Sequence, residues 1–344
     1  MNKNILKITS LLILILFSQV VFASGSRVGT AAAPELLIPM GARNVSLGCS
    51  DIANVTGTDA IYWNPAGLSY IKQAEATFSY LKYFADMNVA YIATGIKMGQ
   101  LGAVGISIQS LNIGKIKVTT IEAPEGTGQE ITPDYLTAGL TYSKKLTNKV
   151  AFGSNAKIIS ENIGNMSATA FAIDLGLQYH TEFGLDFGIT MKNIGTDMKF
   201  DGPEIEFNSD IPFANPNATT RKTKLDMASN ELPTSMNMGL AYTRKFSDAV
   251  AASCYGQYSK NTLDMDRMNL GGEVNLNNLL FLRAGYIYNI YPEDWEWDKD
   301  AQFNFSYGLG LNLMVSGTKV YFDYAFRPME LFDANQYFSI SVGF

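Results

Sequence analysis

Alternation with a period of two recurs along this chain and leaves few folds open to it. In 303–313, Phe303, Phe305, Tyr307, Leu309, Leu311 and Leu313 share one face, and Asn304, Ser306, Gly308, Gly310 and Asn312 the other. Residues 136–143, 185–192 and 236–243 repeat the pattern. So does the last stretch, where Phe338, Ile340, Val342 and Phe344 oppose Tyr337, Ser339, Ser341 and Gly343. Successive side chains of a strand point to opposite faces, so each segment predicts a strand with one apolar face. About fourteen such segments are found: 73–83, 88–98, 100–110, 135–145, 149–160, 167–180, 184–194, 235–245, 249–260, 267–275, 279–290, 302–314, 318–327 and 336–344.

The connections between them alternate in length. Tight turns are predicted at Gly99, 146–148, 181–183, 246–248, 276–278 and 315–317, and longer loops at 111–134, 195–234, 261–266, 291–301 and 328–335. Short turns at one end and long loops at the other suit a membrane barrel with the short end periplasmic, and an even strand count puts both termini there. Residues 1–23 read as a secretory signal: Lys3 and Lys7, an apolar stretch from Ile8 to Phe22, and the small-residue site Val21-Phe22-Ala23. Beyond them no apolar run approaches the roughly 20 residues of a membrane helix. A chain that spans a membrane without such helices does so as a closed barrel. The expected fold is therefore all-β, a transmembrane antiparallel barrel of about 14 strands.

The faces follow from the solvents. The apolar set should meet lipid. The Gly, Ser, Thr and Asn set should line the lumen, with Lys157, Asp174, Asp186, Lys192, Glu273, Arg283 and Asp323. A barrel of that size encloses more space than its own side chains fill. The non-alternating segment 24–72 is the expected plug, with 73–344 as the barrel.

Charge and composition narrow the function. Charged residues make up 17% of the chain, against a usual share of about 25%. The net charge of −6 argues against nucleic acid, which needs a basic stripe. One histidine, His180, and two cysteines, Cys49 and Cys254, leave no zinc spacing and no disulfide framework. No catalytic set, metal site or cofactor is expected.

Within 24–72 stand Gly41-Ala42-Arg43, Gly48, Asp59-Ala60 and Trp63-Asn64-Pro65-Ala66-Gly67-Leu68. These residues resemble the N-terminal signature of the PorV/PorQ family, whose barrels are built like the FadL long-chain fatty-acid transporters. The resemblance implies an outer-membrane protein of a Gram-negative bacterium, with this signature in a hatch inside the barrel. It also implies a part in type IX protein secretion or surface attachment through protein partners, alongside outer-membrane lipids and the barrel assembly machinery. The alternative it carries is a FadL-like transporter of fatty acids or other small hydrophobic molecules, with a greasy pocket between hatch and wall. Arg43 and Asp59 would be a charged tether in the lumen, and Asn64-Pro65 the turn leading to the first strand. The terminal strand, with Phe338, Ile340, Val342 and Phe344, resembles the C-terminal assembly signal of outer-membrane barrels.

Four further features carry expectations. Asp294, Trp295, Trp297 and Asp298 place aromatics among acids on an outer loop, a pattern that fits partner binding as well as a solvated rim. Residues 195–234 are long enough for a functional loop. A Cys49–Cys254 disulfide would tie plug to wall, and His180 is expected to be a solvated turn residue.

Overall fold

A computed structural model describes residues 29–210, 220–290, 304–329 and 332–344. Fourteen antiparallel strands form a closed barrel. The first seven are β1 (Ala74–Lys82), β2 (Asn88–Lys97), β3 (Ala103–Asn112), β4 (Asp134–Lys145), β5 (Val150–Ile163), β6 (Met166–His180) and β7 (Leu185–Gly195). The rest are β8 (Ser235–Lys245), β9 (Val250–Asn261), β10 (Asp266–Leu276), β11 (Leu280–Ile290), β12 (Phe305–Val315), β13 (Thr318–Arg327) and β14 (Asn335–Gly343). Each strand pairs with its sequence neighbours, and β14 closes on β1 from Glu75 opposite Gly343 to Lys82 opposite Gln336. Closure leaves the barrel sheet without an edge, so its strands present no unpaired row of backbone groups.

The pleat sorts the side chains as the alternation predicts. Phe305, Tyr307, Leu309 and Leu311 of β12 point outward and are exposed, while Ser306 is buried. Phe338 and Ile340 of β14 are likewise outward, against Phe78 on β1. Lys157, Asp174, Asp186, Glu273 and Arg283 are buried on the inner face. Phe344 lies just past the last strand, and its N–H donates to the Ala74 carbonyl at 2.8 Å.

Local differences from the expected boundaries have local causes. The third strand begins at Ala103, because Gly99–Leu101 form one turn of 3-10 helix. The β5–β6 connection is only Gly164-Asn165, with Gly164 at φ 60°, so one hairpin on the loop end is tight. Two long loops carry hairpins of their own: Ile116–Lys117 with Glu130–Ile131, and Glu206–Asp210 with Thr220–Lys224.

His180 is not a solvated turn residue. It ends β6, its Nδ1 lies 2.9 Å from Asp186 Oδ1, and its ring meets Tyr70 edge-on at 4.8 Å. Cys49 and Cys254 form no disulfide. Cys49 is buried in the interior and Cys254 is exposed. Strand alternation puts Cys254 on the outer face, where it cannot meet Cys49.

The hydrophobic core lies inside the barrel. Val45, Ile61, Trp63 and Leu68 from the N-terminal segment pack with Tyr91, Ala93, Ala103 and Tyr337 from the inner wall. The segment contains two short helices, α1 (Ala42–Ser46) and α2 (Asp59–Trp63), and a 3-10 turn, Pro65–Tyr70.

Candidate functional site: the barrel interior and its loop-end cavity

The wall makes room for the inner segment with glycine. A Cβ on Gly285 of β11 would lie 2.0 Å from the Gly48 nitrogen. One on Gly153 or Gly176 would lie within 2.4 Å of Pro65 or Asn64 atoms, and one on Gly188 within 2.4 Å of the Ile52 carbonyl. These glycines alternate with outward apolar residues, so what looks in the sequence like a weak strand former is a seat for backbone. Polar inner-face residues complete the seat. Ala42 N–H donates to Ser339 Oγ at 2.9 Å, and Gly48 N–H to Ser306 Oγ at 3.1 Å.

The signature residues hold this arrangement together. Gly41 and Gly48 adopt φ of 87° and 67°, in the region that favours glycine. Gly48 also has no room for a side chain, since its Cβ would stand 2.8 Å from Tyr286 N. Asn64 Nδ2 donates to the Ile52 carbonyl at 2.7 Å and to Leu177 O on β6 at 3.2 Å, while its Oδ1 accepts from Ala66 N–H. It thereby caps the 3-10 turn that Pro65 opens, and that turn leads through Ile71 to β1. Ala66, Gly67 and Leu68 are buried, with Leu68 against Gly95 and Gly105.

Arg43 does not pair with Asp59. Its Nη1 lies 2.8 Å from Asp51 Oδ2, and its Nε is 3.9 Å from Glu273 on β10. Glu273 pairs in turn with Arg283 at 2.6 Å, and Arg283 with Asp323 at 2.5 Å. Five charges thus alternate in sign from the inner segment across three strands. Asp59 stands beside Gly41 instead, and burial, Asp323 and Glu75 push its carboxyl up to about 7. Nothing in the sequence distinguished Asp51 from the other acids; its partner is set by the bend at 47–51, where the Asn44 side-chain amide donates to the Asp51 carbonyl at 2.7 Å and accepts from the Asp51 N–H at 3.0 Å.

A bulge shapes the wall near the loop end. Opposite Asp174 of β6, β7 carries an extra residue, and Asn193 takes φ 60°. Asn193 N–H donates to Asp174 Oδ1 at 2.8 Å, and Asp174 holds Lys157 at 2.7 Å. The bulge turns both Lys192 and its neighbour Asn193 inward, against strict alternation. Lys192 Nζ stands 3.9 Å from the Tyr62 ring centroid.

Between the inner segment and the loop ends of the strands lies a cavity of about 330 Å³. Its floor is largely apolar and includes Pro34, Leu36, Ile52 and Trp63. Its wall is polar, with Asn237, Gln257 and Asn269 beside Lys192 and Arg267. The greasy pocket expected of a fatty-acid transporter is thus only half present. Asp294, Trp295, Trp297 and Asp298 lie outside the described residues.

A closed fourteen-strand barrel with these proportions is the architecture of the FadL-type outer-membrane proteins. The chain is similar in structure to the Ralstonia pickettii toluene transporter TbuX (TM-score 0.55, 12% identity, 88% of this chain and 98% of that one). It is similar also to the Pseudomonas putida toluene transporter TodX (TM-score 0.54, 12% identity, 87% and 96%). A Pseudomonas aeruginosa FadL homologue gives a TM-score of 0.52 at 10% identity, over 89% and 98%. At such identities the likeness is one of fold. The family of the type IX secretion system protein PorV matches residues 22–215, more than half of the chain, and the chain belongs to that family. No curated protein matches the sequence.

Proposed function

We propose that the chain works in the outer membrane of a Gram-negative bacterium as a plugged barrel that binds exported proteins at its outer loops. It acts as a component of type IX secretion or surface attachment and not as an enzyme. The observation that carries this is the family match over residues 22–215, which spans the inner segment and the first long loops. The packed interior supports it: Val45, Ile61 and Leu68 of the inner segment are buried, and its backbone lies against glycines of the wall. The surface that would meet a partner is the loop 196–234, whose exposed hairpin Glu206–Asp210 and Thr220–Lys224 is braced at its base by Leu225 N–H to Ile205 O. Phe338, Ile340, Val342 and Phe344 would serve recognition by the barrel assembly machinery, and the outward apolar faces bind lipid. The test is to replace 196–234 with a short Gly/Ser connection in cells and to follow cargo capture by pull-down. Loss of exported proteins from the eluate, with the barrel still in the membrane, is the expected result. Undiminished capture and secretion sink the proposal.

A second function, transport of small apolar molecules, draws on the hydrocarbon and toluene channels that share the fold. It requires uptake that fails when the inner segment is loosened at Arg43 or Asp59.

A further inference from the structure

The loop-end cavity holds hydrogen-bonding groups that the protein itself leaves unused. Asn335 is 0% exposed, yet neither its side-chain oxygen nor its nitrogen has a partner. Gln257 Oε1 and Asn269 Oδ1 are buried and unpartnered as well. Both amides are held by their other atom: Gln257 Nε2 donates to Ser259 Oγ at 2.8 Å, and Asn269 Nδ2 to the Cys49 carbonyl at 3.0 Å. Because a carbonyl can only accept, the Asn269 amide is fixed with its oxygen free as an acceptor, and Gln257 leaves one amide atom unused beside it. Lys192 Nζ is a donor with neither a hydrogen bond nor an ion pair among the described residues, and its contacts are the faces of Tyr62 and Trp63. All four residues line the one cavity.

Buried polar groups are normally satisfied, and a cluster of exceptions on one cavity wall calls for a ligand or water that satisfies them. An apolar occupant would strand the amides and the ammonium in a drier site. A multiply hydroxylated molecule would meet them in kind, since each hydroxyl both donates and accepts. The charge selects further: Asp264 on the lining is already paired with Arg267 at 2.6 Å, which leaves the Lys192 ammonium as the charge that an anion would meet. Trp63 brings an aromatic ring to the floor. The volume of about 330 Å³ is at the small end of ligand sites.

The geometry points to a binding site for an anionic sugar, a polyhydroxylated ring bearing a carboxylate or phosphate, held between Lys192 and the amides of Gln257, Asn269 and Asn335. This goes beyond the docking of exported proteins and does not rest on it, because the groups involved lie inside the barrel and not on the loops.

The experiment uses the full-length barrel in detergent with Trp295→Phe and Trp297→Phe, which leaves Trp63 as the single tryptophan reporter of the cavity. Glucuronic acid, glucose 6-phosphate, neutral glucose and toluene are titrated separately, and a glucuronosyl lipid is added in micelles. Saturable quenching by the acids, with glucose weaker, is expected. Lys192→Met should weaken the acids roughly tenfold or more, as loss of a hydrogen bond to a charged group does. Gln257→Leu should weaken acid and neutral sugar alike. Heat-modified mobility on gels reports that each variant is folded. Binding of the soluble acids identifies a free sugar acid as ligand; binding of the micellar form alone identifies a lipid headgroup of the same chemistry. No saturation by any anionic probe up to roughly 10 mM, saturation by toluene alone, or an unchanged affinity in Lys192→Met overturns the proposal. None of these outcomes depends on whether loop 196–234 captures cargo, so the two proposals fail separately.

Discussion

Single residues inside this barrel matter through what they exclude and what they neutralise. Gly285 excludes: an added methyl would meet Gly48 N at 2.0 Å, and both partners are backbone, so neither can give way by rotating. Gly285→Ala should displace the inner segment and lower the melting temperature, whereas Gly272→Ala on the neighbouring strand, where a Cβ meets nothing within 4 Å, should be near neutral. Thermal melts of the two variants side by side check this. Arg43 neutralises. Asp51 has no exposed side-chain surface and depends on it. Arg43→Met should cost about 3 kcal/mol, the usual scale for removing one partner of a buried pair, and Asp51→Asn in the same chain should recover part of the loss. Equal stability of Arg43→Met and the parent would show that the charge chain contributes nothing.

At the scale of elements, α2 carries a titration. The Asp59 carboxyl stands at about 7 in the folded chain against an ordinary value near 3.8. A raised carboxyl pKa means that the folded state binds the proton more tightly than the unfolded one. The stability this adds is fully present below about 3.8 and is lost as the pH rises through 7. Melting temperatures measured from pH 4 to pH 8 should therefore fall for the parent more steeply than for Asp59→Asn. Identical slopes would remove Asp59 as the cause. The loop elements behave differently. The hairpin in 196–234 is tied by surface pairs such as Lys222 with Glu206 at 3.6 Å, which contribute little. Its removal should leave barrel stability unchanged while it abolishes cargo capture.

For the whole molecule, closure is the decisive event, because β14 must find β1 across the full length of the chain. Truncation of Phe344 removes the last rung to Ala74 and an exposed outer aromatic. It should lower the amount of folded, heat-modifiable barrel in the outer membrane, and unchanged assembly would remove the C-terminal strand as a signal. The two thiols report the same architecture. A maleimide that partitions into membranes should label Cys254 on the outer face and leave Cys49 unlabelled until the barrel is denatured.

The strand count, the faces and the inner position of Lys157, Asp174, Glu273 and Arg283 were legible in the sequence. Alternation is a property of the pleat and needs no knowledge of distant partners. The signature Gly41 to Leu68 was legible as a unit, and its glycines and its proline imposed the bends that the structure shows. What the tertiary structure decided was pairing across long separations. Asp51 rather than Asp59 meets Arg43, because the 47–51 bend folds it back. Asn193 faces inward because a bulge opposite Asp174 adds a residue that no local pattern announces. Gln257 and Asn269 already face each other across the β9–β10 hairpin, but Asn335 of β14 joins them only when the barrel closes. A period of two is written in adjacent residues, whereas a cavity is written in residues as far apart as Pro34 and Tyr337, and only the closed sheet brings those together.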